Sequence, residues 1–139
     1  MIQFEEQIVI AASPEKVFAL YENVADWASW DSDVKAATIE GSFSSGASGS
    51  LHPSSGPKVK IKFTEVMPNR SFTVESKLPL CVLRFEHELT PISSGTNAKH
   101  RVTFQGLLAP FFGWIIGSQI RKALPIAMQS LKHAAENQS

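Results

Sequence analysis

Two histidines are the residues of this sequence that could do acid–base chemistry together. His87 and His100 each fall in the apolar phase of an alternating segment, and the turn Ile92–Gly95 joins the two segments. If Pro91 pairs with Thr96, the register places the histidines directly opposite each other, with Cβ atoms roughly 5 Å apart. Imidazole titrates near neutral pH, so this pair could move a proton on a bound carbonyl compound.

The same pair has a structural interpretation, in which one or both histidines hydrogen-bond a core partner or point to solvent at the end of the sheet. No metal is expected, because two histidines without a third inward-facing ligand do not complete a zinc site. No cofactor is expected either, since the sequence has no nucleophile elbow, zinc-protease helix, phosphate loop or paired-cysteine motif. Cys81 has no predicted base beside it and is interpreted as an inert strand residue.

Composition predicts one globular domain that spans residues 1–139. Hydrophobic residues make up 43% of the chain, and 13 basic residues balance 13 acidic ones, which argues against a nucleic-acid partner. The acidic N-terminus does not resemble a signal peptide. The most apolar run, Leu107–Gly117, is too short to span a bilayer, so no transmembrane segment is expected. These observations predict a cytoplasmic protein.

Alternating residues predict that most of the chain forms strands. Ile2–Ile10 is the first, and Ser13-Pro14-Glu15 then starts a helix with a capping hydroxyl and a proline in its first turn. Val17, Leu20, Tyr21 and Val24 give that helix its buried face, and a second short helix is predicted over Ala25–Ser29. Six further strands are predicted around Val34–Glu40, Ala47–His52, Lys58–Val66, Phe72–Ser76, Val82–Leu89 and His100–Phe104.

Apolar residues at helical spacing predict a single long helix from Pro110 to Glu136. Pro125 lies inside it and removes a backbone donor, so a kink is expected near Ala123–Leu124. A helix of this length can cross one face of a sheet. Sequential hairpins followed by such a helix indicate an α+β fold, in which the helix covers the buried face of an antiparallel sheet.

Several segments resemble a known family. They are A-S-P-E-K-V-F-A-L-Y (Ala12–Tyr21), V-A-D-W-A-S-W-D (Val24–Asp31), E-V-M-P-N-R (Glu65–Arg70), Gly95–Thr96 and L-K-H-A-A-E (Leu131–Glu136). Together they resemble the polyketide cyclase/dehydrase branch of the START-like, helix-grip superfamily, which includes the birch-pollen allergen fold. The resemblance implies a seven-stranded antiparallel sheet in the order 1-7-6-5-4-3-2, two short helices after strand 1, and a cavity between its concave face and the long helix.

Inward-facing residues supply the candidate lining of that cavity. Each of them could instead belong to a filled core. The candidates are Trp30, Phe63, Phe72, Val74, Phe85, His87, His100, Val102, Phe112, Ile116 and Ile120.

Three functions remain open at this point. The leading hypothesis is a carrier or sensor that binds a small apolar or amphipathic molecule in the cavity. The alternative is an enzyme of the cyclase or dehydratase type that uses His87 or His100 as a general acid or base. A protein-interaction module is the third, because the apolar excess at Phe111–Ile116 could form a contact. A homodimer through Phe111 and Trp114 would use the same patch.

Overall fold

The computed structural model describes residues 1–137 and has a seven-stranded antiparallel sheet. The sheet order is β1-β7-β6-β5-β4-β3-β2, which confirms the predicted order. The strands are β1 Ile2–Ile10, β2 Val34–Ile39, β3 Ser48–Pro53, β4 Val59–Met67, β5 Ser71–Leu78, β6 Cys81–Ile92 and β7 Gly95–Gln105.

Short helices follow β1, as predicted. Helix α1 spans Pro14–Glu22, and the Ser13 hydroxyl caps it by accepting a hydrogen bond of 3.3 Å from the Lys16 amide. A 3₁₀ turn and helix α2, Trp27–Trp30, take the place of the second predicted helix. These elements carry large side chains onto one end of the sheet, where Tyr21 and Trp27 are buried.

The β6–β7 hairpin has the predicted register. Pro91 pairs with Thr96, and this places His87 directly opposite His100. Gly95 begins β7 with φ of 141°, and a Cβ at that position would lie 2.2 Å from the carbonyl oxygen of Ile10. Only glycine therefore allows β7 to begin so close to the end of β1.

The long C-terminal helix differs from the prediction of one helix from Pro110 to Glu136. The structure has two helices, α3 over Ala109–Ile115 and α4 over Gly117–Glu136, and the interruption lies at Ile116. The break falls beside Gly117, where the low helix propensity of glycine makes an interruption cheap. Helix α4 continues through Pro125, so the break occurs earlier than the expected kink.

Helix α4 covers the concave face of the sheet with its apolar side. Its buried residues are Gly117, Leu124, Ala127, Met128, Leu131 and Ala135. At its last turn the Glu136 carboxylate accepts a hydrogen bond of 2.7 Å from the Ala11 amide, which fixes the helix end to the segment after β1. Within the described residues no helix is both long and apolar enough to cross a membrane.

Apolar side chains form two core clusters under the helices. The larger lies beneath α1, α2 and the second half of α4, and it includes Phe63, Phe72 and Leu131. The smaller lies beneath α3 and the start of α4, and it includes Val102 and Phe104. The space between them is the place where the helices leave the sheet incompletely covered.

Helix α4 offers a matched pair of positions that tests this packing. Leu131 is fully buried and Ile126 is 58% exposed on the same helix. We expect Leu131→Ala to lower the free energy of unfolding by about 2–5 kcal/mol, because it leaves a cavity in the core. Ile126→Ala should change it by about 0.5 kcal/mol or less. Chemical denaturation measures both, and equal losses would contradict the orientation of α4.

Candidate functional site

A cavity of about 130 Å³ lies between the concave face of the sheet and α4. Strands β2 to β7 contribute to its floor, α4 forms one wall, and α1 and α2 close one side. Its lining residues are Tyr21, Trp27, Trp30, Asp31, Asp33, Val34, Leu51, Pro53, Ile61, Phe72, Val74, Phe85, His87, His100, Ile120, Ala123, Leu124 and Ala127. Apolar carbon dominates this surface, and the polar groups are few and grouped.

The structure brings most of the predicted lining residues together. Trp30, Phe72, Val74, Phe85, His87, His100 and Ile120 all contact the cavity.

The other four predicted residues lie elsewhere. Phe63 is fully buried in the larger core cluster, and Val102 is fully buried in the smaller one. Phe112 on α3 and Ile116 at the break that follows it pack against the smaller cluster. The role of each predicted residue in ligand binding stays a prediction.

His87 and His100 meet on the cavity floor. Their ring centroids are 4.5 Å apart and the rings meet edge to face. His87 also stacks on the Phe72 ring, with centroids 3.9 Å apart, and its Nδ1 lies 3.1 Å from the Phe72 carbonyl oxygen. A carbonyl can only accept a hydrogen bond, so Nδ1 of His87 carries the hydrogen. This contact fixes both the ring orientation and the tautomer of His87.

Tyr21 connects helix α1 to the histidine pair, whereas helical spacing alone places it only on the buried face of that helix. Its hydroxyl oxygen lies 2.7 Å from Nε2 of His100, and both residues are buried. A buried tyrosine hydroxyl requires a partner, and His100 supplies it. The sequence predicts that the histidine and the tyrosine both face inward. Predicting that they meet would require the position at which α1 crosses the sheet.

Burial keeps both imidazoles uncharged near neutral pH. It lowers the pKa of His87 to about 4, although the hydrogen bond to the Phe72 carbonyl opposes this shift. Burial also lowers the pKa of His100 well below its usual value, and the nearby His87 lowers it further. The pKa of the Tyr21 hydroxyl is raised by burial, so it keeps its hydrogen.

Two carboxyl groups line the side of the cavity that follows α2. Burial raises the pKa of Asp31 to about 6, an effect opposed by a hydrogen bond of 3.0 Å that its carboxylate accepts from the Asp33 amide. Burial raises the pKa of Asp33 as well. Beside them, the Trp30 indole Nε1 is buried without a hydrogen-bond partner among the described residues. This acidic side was absent from the predicted site, which named neither Asp31 nor Asp33.

The cavity does not bring together a set of metal ligands. Within residues 1–137 no group of three or more histidine, cysteine, aspartate or glutamate side chains could hold a metal ion. The arrangement offers instead an apolar volume with a neutral hydrogen-bonding end at the histidines and a carboxyl group at another side. Such a site can hold a small molecule by shape and orient it by one or two hydrogen bonds.

The fold and its cavity together define a START-like protein of the helix-grip class. The chain belongs to the polyketide cyclase / dehydrase and lipid transport family, whose sequence profile matches residues 1–136. A search of curated proteins by sequence found no match.

Solved structures share the fold at low sequence identity. A Mesorhizobium loti protein is 16% identical with a TM-score of 0.75, and the alignment covers 99% of each chain. Truncated norcoclaurine synthase from Thalictrum flavum is 14% identical with a TM-score of 0.73, covering 99% of this chain and 95% of its own. The Aha1 dimer from Colwellia psychrerythraea is 18% identical with a TM-score of 0.71, covering 99% and 98%. At these identities the likeness concerns the fold alone.

The two histidines predict a measurable pH dependence of stability. His87 binds a proton less readily in the folded protein than in the unfolded chain, whose histidines titrate near 6.5. Below about pH 6.5 the unfolded state gains protons first, so stability should fall as pH is lowered from about 6.5 to about 4, by up to about 1.4 kcal/mol per pH unit for each histidine.

His87→Gln isolates this effect, because its amide can still donate to the Phe72 carbonyl. The raised pKa of Asp31 acts in the opposite direction, since the folded state then binds the extra proton, but it contributes to both proteins. We expect chemical denaturation at pH 7, 6 and 5 to give a shallower loss of stability for His87→Gln than for the parent. Parallel curves would show that His87 is not held uncharged.

Proposed function

We propose that this chain works as a single ligand-binding domain that carries or senses a small apolar molecule in the cavity beneath α4. The observation that supports this most directly is the volume of about 130 Å³ between the concave face of the sheet and α4, which is lined mostly by apolar side chains. Side chains that line an unfilled apolar volume lack packing partners on that side. A bound molecule would fill the space and supply those contacts.

The family supports the same function. Its description names lipid transport beside cyclase and dehydrase activity, and a lipid is a largely apolar molecule. In this chain Trp27, Trp30 and Phe85 contribute aromatic surface to the cavity. Aromatic side chains give such a ligand a large contact area at low cost in side-chain entropy. The cytoplasmic location expected from the sequence stays a prediction.

A second function, acid–base catalysis, is favoured by the hydrogen-bonded Tyr21 and His100 on the cavity wall. The pKa values argue against the histidines as its main base. A general base works best with a pKa near the working pH, and that of His87 is about 4. Asp31, with a pKa of about 6, is better matched to proton transfer. We therefore place binding first and a cyclase- or dehydratase-type reaction second.

We further propose that α3 forms a contact between two copies of the chain. Phe111, Trp114 and Ile115 are 50%, 79% and 49% exposed, and Phe111 and Trp114 lie three residues apart on one helix face. The segment from Leu107 to Ser118 contains no charged residue. This favours contact with another apolar protein surface over binding to an anionic membrane surface, which would need basic residues. The related fold of Aha1 from Colwellia psychrerythraea was solved as a dimer.

Filling the cavity tests the binding function. Ile120 lines the cavity from α4, whereas Ile126 is 58% exposed on the same helix. We expect the parent protein to bind benzene, which has no polar group and reports on apolar volume alone. Ile120→Trp should weaken this binding at least about tenfold, because the larger side chain occupies the space. Ile126→Trp is the matched control and should bind like the parent.

Ligand-observed NMR measures the affinity, and thermal unfolding verifies that both variants are folded. If the parent binds neither benzene nor a polar derivative of it, or if both variants bind benzene equally, the cavity is not a binding site. A search for ligands bound to the purified protein by native mass spectrometry gives a second readout. Turnover of such a ligand that is lost in His100→Gln while binding persists would establish the enzyme instead.

The proposed contact is tested by Trp114→Ser. Because the Trp114 side chain is 79% exposed, its removal should leave the melting temperature nearly unchanged. It should raise the dissociation constant of the dimer at least about tenfold, as removal of a central aromatic side chain does at other interfaces. Analytical ultracentrifugation measures this constant, with Ile126→Ser as the control outside the patch. A parent protein that is monomeric at every concentration would contradict the proposal.

A further inference from the structure

The polar end of the cavity limits which ligands it can accept. His87 uses Nδ1 to donate a hydrogen bond to the Phe72 carbonyl oxygen, at 3.1 Å. In an uncharged imidazole the remaining nitrogen, Nε2, then has no hydrogen and can only accept a hydrogen bond. Nε2 is one of the two ring atoms farthest from the backbone, and His87 is among the residues that line the cavity. The structure therefore presents an acceptor, rather than a positive charge, at this point of the cavity wall.

His100 cannot supply a positive charge either. Its Nε2 is engaged with the Tyr21 hydroxyl at 2.7 Å, and the ring is buried beneath α1. Burial lowers the pKa of both histidines, which agrees with this geometry. A protonated pair with ring centroids 4.5 Å apart would also place two like charges side by side in an apolar site.

The remaining lining residues point in the same direction. None of the described residues that contact the cavity is a lysine or an arginine, and the charged side chains there are Asp31 and Asp33. An anionic ligand would lose its hydration in the cavity without gaining a cationic partner, and it would lie near two carboxyl groups. The free-energy cost of burying such an unpaired charge is far larger than the free energy gained from apolar contact with the ligand.

The volume sets the size of the ligand. An apolar cavity of roughly 150 Å³ is known to bind benzene, and this cavity measures about 130 Å³. A molecule with one aromatic ring therefore fits the described side-chain arrangement, whereas a long acyl chain does not. Phe72, Phe85 and Trp30 surround the space with aromatic surface that suits such a ring.

We propose that the cavity selects an uncharged one-ring aromatic molecule that donates a hydroxyl or N–H hydrogen to Nε2 of His87, and that it rejects carboxylates of the same size. This inference rests on the proposed binding function and names the ligand class for it. It distinguishes the site from one built for fatty acids, which would present a basic side chain to the ligand.

Three probes of similar size separate these properties: phenol, toluene and benzoate. Toluene replaces the phenol hydroxyl with a methyl group, and benzoate carries a negative charge. We expect the parent to bind phenol at least about fivefold more tightly than toluene, although toluene is the more hydrophobic, because only phenol can donate to His87. Benzoate should show no binding at the concentrations that saturate the site with phenol.

His87→Phe keeps an aromatic ring beside Phe72 and removes the acceptor. In this variant phenol should lose its advantage and bind no more tightly than toluene, while toluene binds as it does to the parent. The measurement is protein-observed NMR titration, with Ile126→Ala as a control outside the cavity. If His87→Phe does not fold, the three affinities of the parent still decide the ligand class.

The outcomes separate this inference from the proposed function. If toluene binds the parent as tightly as phenol, or benzoate binds it as tightly, the ligand class is wrong and the binding function stands. If benzene binds but none of the three probes does, the inference is again overturned. If benzene and all three probes fail to bind, the binding function itself is lost.

Discussion

The concave face of a one-sided sheet has to be covered, and this constraint governs the rest of the molecule. Seven antiparallel strands present one continuous apolar surface, and α1, α2, α3 and α4 are the elements available to cover it. Helices are rods and the sheet is curved, so close contact at both ends of α4 leaves space near its middle. Leu131 is fully buried at one end of α4, and Gly117 packs near Phe104 at the other. The cavity is the space that the helices leave uncovered in this arrangement.

The two faces of the sheet handle polarity differently. On the outer face, charged side chains form ion pairs, with Arg84 2.8 Å from Glu75 and Arg101 3.0 Å from Glu86. These pairs are partly exposed and contribute little to stability. On the inner face, the titratable side chains that the strands present to the cavity are His87 and His100, and both are uncharged near neutral pH. The strands therefore contribute no charge to the cavity, and its two carboxyl groups, Asp31 and Asp33, come from the segment after α2.

The sheet could be predicted from the sequence because strands and turns are determined by residues that are close together in the chain. Alternation determines which side of a strand is buried, and the turn at Ile92–Gly95 determines the register that brings His87 opposite His100. The position of α1 over the sheet depends on contacts between distant residues, so the Tyr21–His100 hydrogen bond could not be predicted. The division into α3 and α4 was missed because helical periodicity continues across Ile116, although Gly117 directly follows the break.

Pairing of the first strand with the last has a consequence for biosynthesis. Ile2 pairs with Phe104 and Ile10 with Thr96, so β1 leaves the ribosome long before its partner strand exists. Until β7 has been synthesised, the backbone amides and carbonyls along β1 have no native partners, and its exposed edge can pair with other chains. Contacts between residues so distant in sequence also slow folding. The nascent chain therefore passes through a vulnerable interval, which ends only when β7 and the helices that follow it can close the sheet.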